Sequence, residues 1–344
     1  MKVLIDIVHP ADVLFFKRPM ERLSARGDEV LVLSREKDVA NALLDQFAAP
    51  YRTISRAGRG LFGLAGELLK RDWSVIKAAR EFEPDVMTGF GGVAVSHAGA
   101  LLRIPSCAFY DSENASLQTR LTWPFINHLT APASYRGVTP KGRTALVRGV
   151  KELSYFHPSH FKADPERAKA AGWQPDTDNF LIRIVDWRAN HDQGKSGLDQ
   201  ALLRTIVDKL AGLGVLHISS ETALPEALRQ YEYKGTPADL HHLMAHCRLM
   251  VGESATMASE CAILGTPAIY AGQDFPGYVH ELEAANLIMN VLPGERTLLP
   301  AKIDEMLASG PDEYRKARDA YVASCPDWAD VIMETLDRFG SGTP

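Results

Sequence analysis

The chain has little cysteine and no long apolar run. Its four cysteines among 344 residues, Cys107, Cys247, Cys261 and Cys325, are scattered, and no CxxC pair occurs. They read as reduced, mostly packed thiols of a cytoplasmic protein. No apolar stretch reaches the roughly 18 residues of a membrane span. The opening MKVLIDIVHP is too short in its apolar part for a signal peptide, and Asp6 breaks it. Positive charge is not in excess: the net charge is −5, which argues against a general nucleic-acid binder. Motifs of common cofactor sites are missing too. No HExxH occurs, and Gly194-Lys195-Ser196 lacks the spaced glycine of a P-loop. His242 and His246 share a helix face, and His157 lies close to His160, but neither pair has an obvious third ligand. They read as surface or helix-end histidines, and no metal is expected.

What is present is a globular composition, 46% hydrophobic and 24% charged, long enough for two domains. Strand and helix patterns alternate. Val3 to Val8 reads as a buried strand and Leu14 to Arg26 as an amphipathic helix. Further strands are expected at Glu29 to Leu33, Tyr51 to Ile54, Pro84 to Met87 and Ile104 to Tyr110, with helices between them. A second series starts near Phe180, with strands at Phe180 to Val185 and Val215 to Ser219. This βαβ repetition predicts two doubly wound parallel-sheet domains of α/β class. The glycines and prolines between Pro140 and Asp178 fit a linker and its flanking turns. Ligands of such sheets sit at the carboxyl ends of the strands, so a cleft between the domains is the natural active site.

The richest segment is VGESATMASECAILGTPAI, Val251 to Ile269. A short apolar run ends at Gly252, small and hydroxyl residues follow (Ser254, Ala255, Thr256), and a helix closes at Gly265. Such a helix start offers free backbone N–H groups to an anion such as a diphosphate. Glu260, about one and a half turns on, can reach hydroxyls of the group that the phosphates carry. A core helix merely N-capped by Ser254 accounts for the same pattern.

Other strand ends carry chemistry. His9, with Asp12 three residues on, has the ring and the position of a general base; a histidine capping the first helix is the alternative. Gly91 and Gly92 follow the fourth strand and let backbone approach an acceptor or sugar, or simply make a tight turn. Asp111 and Glu113 follow the fifth and are candidates for sugar-hydroxyl binding and acid/base work, with capping competing for Asp111. In the loop WRANHDQGKSG, Arg188 can neutralise a diphosphate and Asn190 can hydrogen-bond it. Arg56 to Arg71 mixes basic and apolar residues. It fits peripheral membrane contact or an anionic, lipid-linked acceptor, and an amphipathic core helix equally.

The segments IDIVHPADVLFFK, DWRANHD and GESATMASE resemble the family called domain of unknown function 354, over nearly the full length. The two-domain pattern and GESATMASECAILGTPAI resemble the GT-B superfamily of nucleotide-sugar enzymes. The resemblance implies a GT-B-like fold of two Rossmann-like domains with an interdomain cleft. It places a first, acceptor-side domain at 1–150, a linker at 151–178, a nucleotide-sugar domain at 179–311, and a terminal helix at 312–344 that returns towards the first. More distantly, PDVMTGFGG, IPSCAFYDSENA and VDWRANHD are similar to segments of UDP-N-acetylglucosamine 2-epimerases. Only Glu113 matches a catalytic carboxylate of that family; its aspartate would fall within Gly91-Gly92 and its loop histidine at Trp187. The glycosyltransferase resemblance implies His9 as base with Asp12 in support. It also implies a leaving diphosphate held by Gly252, Ser254, Ala255, Thr256 and Arg188, and a ribose bound by Glu260. The expected activity is that of an inverting, metal-independent glycosyltransferase with a UDP-linked sugar as substrate, no cofactor and an unidentified acceptor. Epimerisation at C2, or nucleotide-sugar binding without turnover, are the other activities considered.

Overall fold

The apolar runs become strands buried on both faces, as a parallel sheet covered by helices requires. The computed structural model describes residues 1–36, 40–47, 50–56, 60–186 and 197–341. The chain divides into two units, Met1–Tyr155 with Cys325–Pro344, and Phe156–Ser324. The first holds β1 (Lys2–Ile7), β2 (Glu29–Glu36), β3 (Tyr51–Arg56), β4 (Val86–Phe90), β5 (Ser106–Phe109), β6 (His128–Pro132) and β7 (Thr144–Val147). All pair in parallel, in the order β3-β2-β1-β4-β5-β6-β7. Its helices are α1 (Pro10–Ala25), α2 (Ala40–Gln46), α3 (Gly60–Phe82), α4 (Val93–Leu102) and α5 (Ser116–Thr122), with α6 (Leu153–Phe156) after the last strand.

The second unit runs through α7 (Pro165–Ala170), β8 (Asn179–Ile184), α8 (Gln200–Ala211), β9 (Val215–Ser220), α9 (Pro237–Met244), β10 (Leu249–Gly252) and α10 (Ala255–Leu264). It continues through β11 (Ala268–Tyr270), α11 (Gly277–Ala284), β12 (Ile288–Asn290), α12 (Leu299–Ala308) and α13 (Pro311–Ala323). Its strands are parallel in the order β12-β11-β10-β8-β9. The last helix, α14 (Trp328–Gly340), belongs to the first unit. Strand order reverses between β1 and β4 in one sheet and between β8 and β10 in the other. Such switch points are where doubly wound sheets bind ligands. No helix among the described residues is long and apolar enough to cross a membrane.

Two boundaries differ from the sequence reading. Residues 156–178 are packed rather than a linker. Phe161 stacks on His242 at 5.1 Å, Trp173 lies against His246 at 4.2 Å, and the Asp164 N–H donates to His242 Nδ1 at 2.9 Å. The terminal segment is two helices with different attachments, broken around Pro326. On α13, Arg318 donates to the Ile263 carbonyl (3.1 Å) and Tyr321 to Glu281 (2.8 Å), both within the second unit. On α14, the buried Trp328 donates to the Arg148 carbonyl (3.1 Å), and Asp337 accepts a two-pronged bond from Arg26 at 2.7 and 2.9 Å.

One histidine braces three helices of the first unit. His97 on α4 meets Asp72 of α3 through Nδ1 (2.7 Å) and the Leu121 carbonyl of α5 through Nε2 (3.0 Å). Both partners accept, so both bonds form only with imidazolium. The Asp72 hydrogen bond raises the His97 pKa against the opposing effect of burial. A raised folded pKa gives stability that is full below the unfolded value and is lost as pH rises through the folded one. His97→Ala is therefore expected to cost about 1.5–3 kcal/mol at pH 5.5 and clearly less at pH 8.5. Urea unfolding of both proteins at the two pH values checks this; a pH-independent difference contradicts it.

Candidate functional site

The VGESATMASECAILG segment folds as read: β10 ends at Gly252, Ser254 caps α10, and Gly265 closes it with φ of 91°. Met257 through Ile263 are all buried, which explains a helix apolar on nearly every side. Backbone crosses close to Gly252: a β-carbon there would lie 2.6 Å from the Arg183 carbonyl oxygen. Ser254 Oγ accepts the Met257 N–H at 3.2 Å. Among the described residues no acceptor meets the N–H groups of Ala255 and Thr256. Ser254, Ala255 and Thr256 are only partly buried, so the opening turn is not packed shut. These amides stand at the positive end of a ten-residue helix, beside the β8/β10 switch point, and such ends attract anions. Glu260 lies about one and a half turns inside, 6% exposed, with its carboxylate 3.7 Å from His241 Nε2 of α9.

Arg188 and Asn190 lie outside the described residues. Two residues that the sequence reading passes over flank their segment. Glu253, 2% exposed, accepts the Val185 N–H (3.2 Å) and the Leu198 N–H (2.7 Å), one on either side of 187–196. Arg296, 9% exposed, donates to the carbonyls of Gly197 (3.1 Å), Ala271 (2.9 Å) and Gly272 (3.2 Å). Only the adjacency of β8, β10 and β11 brings these together, and no local pattern signals it.

At the first switch point, the loop expected at His9-Pro10-Ala11-Asp12 is the first turn of α1. His9 is its N-cap and Pro10 its first residue. His9 Nδ1 accepts the Ala11 N–H at 3.2 Å. Asp12 Oδ2 accepts the N–H groups of Val8 (3.0 Å) and His9 (2.9 Å), which completes a capping box. Asp12 thus holds the backbone of His9. Burial pushes the Asp12 carboxyl up to about 7; the two N–H bonds and Lys151 oppose this, and Asp6 adds to it. His9 itself is exposed. A neutral ring that accepts at Nδ1 carries its proton on Nε2 and is then a donor. To act as base it must leave the cap, and the 3.2 Å bond lost from Ala11 N–H is worth about 1 kcal/mol.

Gly91 and Gly92 form a left-handed turn, with φ of 79° and 61°, that no side chain adopts readily. Gln118 Nε2 would lie 1.9 Å from a β-carbon at Gly91, so this glycine also makes room for a neighbouring side chain. Asp111 is 5% exposed and does not cap a helix. Its Oδ2 lies 2.7 Å from Lys151 Nζ, and Oδ1 accepts from the Ser112 hydroxyl at 2.9 Å. Lys151 is also 3.0 Å from Glu152, which is wholly buried and whose pKa is raised by that burial. Lys151 and Glu152 lie in the stretch read as linker, where breakers hide them. Glu113 accepts the Arg136 N–H at 3.1 Å, anchoring the loop between β6 and β7.

The Arg56 to Arg71 segment splits. Arg71 turns inward, 5% exposed, and its guanidinium forks onto Asp6 of β1, with further bonds to the Ile7 carbonyl (3.2 Å) and Ser55 (2.6 Å). Leu69 and Trp73 of α3 face outward, 72% and 66% exposed, near the exposed Lys70 and Lys77.

A family model described as "Protein of unknown function (DUF354)" matches residues 1–283. The chain is 25% identical over 283 residues to the UDP-N-acetylglucosamine–N-acetylmuramyl-(pentapeptide) pyrophosphoryl-undecaprenol N-acetylglucosamine transferase of Maricaulis maris, covering 76% of this chain and 75% of that one. It is 25% identical over 263 residues to the enzyme of that name from Corynebacterium diphtheriae, covering 73% and 70%. In fold it is similar to the UDP-GlcNAc 2-epimerase of Neisseria meningitidis solved with UDP-GlcNAc, with a TM-score of 0.66, 13% identity and coverage of 98% and 99%. It is similar too to the spinosyn rhamnosyltransferase SpnG, solved with spinosyn aglycone, with a TM-score of 0.63, 14% identity and coverage of 98% and 100%. The two parallel-sheet α/β domains are those of the GT-B fold.

Proposed function

This chain belongs to the family described as protein of unknown function DUF354, and we propose that it is a glycosyltransferase that takes a nucleotide sugar, UDP-linked, and inverts the anomeric centre. The observation that carries this reading is the pair of N–H groups, Ala255 and Thr256, left without an acceptor at the partly open start of α10. Aligned amides in that position offset negative charge as it grows on a leaving diphosphate. Glu260 is the candidate partner for ribose hydroxyls, with His241 beside its carboxylate. The sequence likeness to two N-acetylglucosamine transferases favours a transferase over an epimerase.

In the proposed reaction His9, released from its cap, takes the proton of an acceptor hydroxyl. The oxygen attacks the anomeric carbon, the bond from that carbon to the diphosphate oxygen breaks, and the nucleoside diphosphate leaves with the electron pair. Gly91, Gly92 and Asp111, at the carboxyl edge of the first sheet, are the candidates for contact with the acceptor or sugar. The test is a calorimetric titration with UDP, TDP and GDP, and with UDP-sugars. UDP-selective binding is expected, weakened about tenfold to a hundredfold by Glu260→Ala, the worth of a hydrogen bond to a charged group. Equal binding by the Glu260→Ala protein removes the ribose assignment.

A further inference from the structure

Exposed apolar side chains of the first unit collect on one layer of helices. His97 of α4 fastens that layer at one point, where it meets Asp72 of α3 and the Leu121 carbonyl of α5. Four large apolar side chains reach solvent within about a turn of that point. Leu69 and Trp73 bracket Asp72, Leu101 stands one turn beyond His97, and Leu117 stands one turn before Leu121. Phe125 adds a fifth, its ring 5.1 Å from that of His97. The five are 47% to 72% exposed, and they are half of the ten large apolar side chains so exposed among the described residues. Scattered, each would be ordinary; gathered on adjoining helices, they mark a contact surface.

The uncompensated charge around them is positive. α4 and α5 carry no acidic residue. The acidic side chains of α3 are engaged, Glu67 with Arg35 at 2.6 Å, Asp72 with His97 at 2.7 Å and Glu81 with Arg52 at 3.2 Å. Lys70, Arg103 and Arg120 are exposed and meet no carboxylate among the described residues. In a chain of net charge −5 this face is a local reversal. A second copy of the chain would set these cations against their own kind, which costs binding. An anionic lipid surface complements both features, because its headgroups attract the cations and its interface takes up Leu and Trp side chains. We propose that the outer face of α3, α4 and α5 docks on a membrane surface that carries anionic lipid. Of the mixed basic and apolar stretch Arg56 to Arg71, Leu69 and Lys70 belong to this face, while Arg71 turns into the core. The proposal uses no residue of the His9 or α10 reading and stands apart from it.

Sedimentation with vesicles of phosphatidylcholine, alone or mixed with phosphatidylglycerol, tests it. The parent chain is expected to bind the mixed vesicles and not the neutral ones, and to come off at about 1 M salt, where screening limits charges to a reach of ~3 Å. Leu69→Ser with Trp73→Ser is expected to keep the parent's urea midpoint, since both side chains already face water, and to lose vesicle affinity about tenfold or more. Lys70→Glu with Arg120→Glu is expected to do the same. Leu213→Ser with Leu292→Ser, which changes comparably exposed side chains of the second unit, is expected to bind as the parent does. Parent-like affinity in either of the first two double variants overturns the proposal. So does a parent that binds no anionic vesicle at low salt. A parent that is dimeric in the ultracentrifuge, stays off vesicles and becomes monomeric with Leu69→Ser and Trp73→Ser also overturns it, and makes a second copy the occupant.

Discussion

His9→Asn is expected to fold as stably as the parent chain and to release UDP from its donor about 10² to 10⁴ times more slowly in the presence of an acceptor. Asparagine is among the best N-caps, so the Ala11 N–H keeps an acceptor and α1 keeps its start. What disappears is an imidazole nitrogen that can take a proton. His9→Ala is expected to lose the rate by the same factor and, in addition, about 1 kcal/mol of stability with the cap. Coupled detection of UDP together with urea midpoints separates the two roles. A parent rate in His9→Asn would mean that His9 is a cap and nothing more. Binding of nucleotide sugar with no turnover in either protein would instead mark a binder without catalysis.

Arg71→Met is expected to destabilise the first unit by about 3–5 kcal/mol. Arg71 and Asp6 are both nearly buried, at 5% and 3% exposure, and the guanidinium also serves Ile7 and Ser55. Removing the cation strands a carboxylate under the carboxyl end of β1, close to Asp12, whose pKa Asp6 already raises. The double change Asp6→Asn with Arg71→Met is expected to recover part of the loss, since no unpaired charge is left behind. Urea unfolding measures both. A loss within 1 kcal/mol for Arg71→Met alone would place that guanidinium in water, against the burial seen here.

The sequence made the sheet-forming runs and the α10 motif legible because both are local. β1, β4 and β10 are apolar runs, and Gly-x-Ser before an apolar helix names its own N-cap. The start of α1 was harder to read. A capping box is usually written with Ser or Thr at the cap and Glu or Gln three residues on. Here His9 and Asp12 fill those places, so the first turn looks like a loop. β6 and β7 lie beyond the last strand read in that domain, and β7 has only four residues, near Pro140, Gly142 and Gly149. The same breakers disguise Lys151 and Glu152, whose pairing has no periodicity to betray it. Glu253 and Arg296 act through strand adjacency, which links residues far apart in the chain. Arg71 reads as surface charge on a mixed helix, and only packing against β1 turns it into a core cation.

The measurement nearest the centre of this proposal is a titration of the intact protein with UDP, followed by amide-resolved NMR. Saturable binding is expected, with the largest shifts at the Ala255 and Thr256 N–H groups, where a diphosphate would accept. Binding that leaves those two amides unmoved, or no binding by any nucleoside diphosphate, contradicts it.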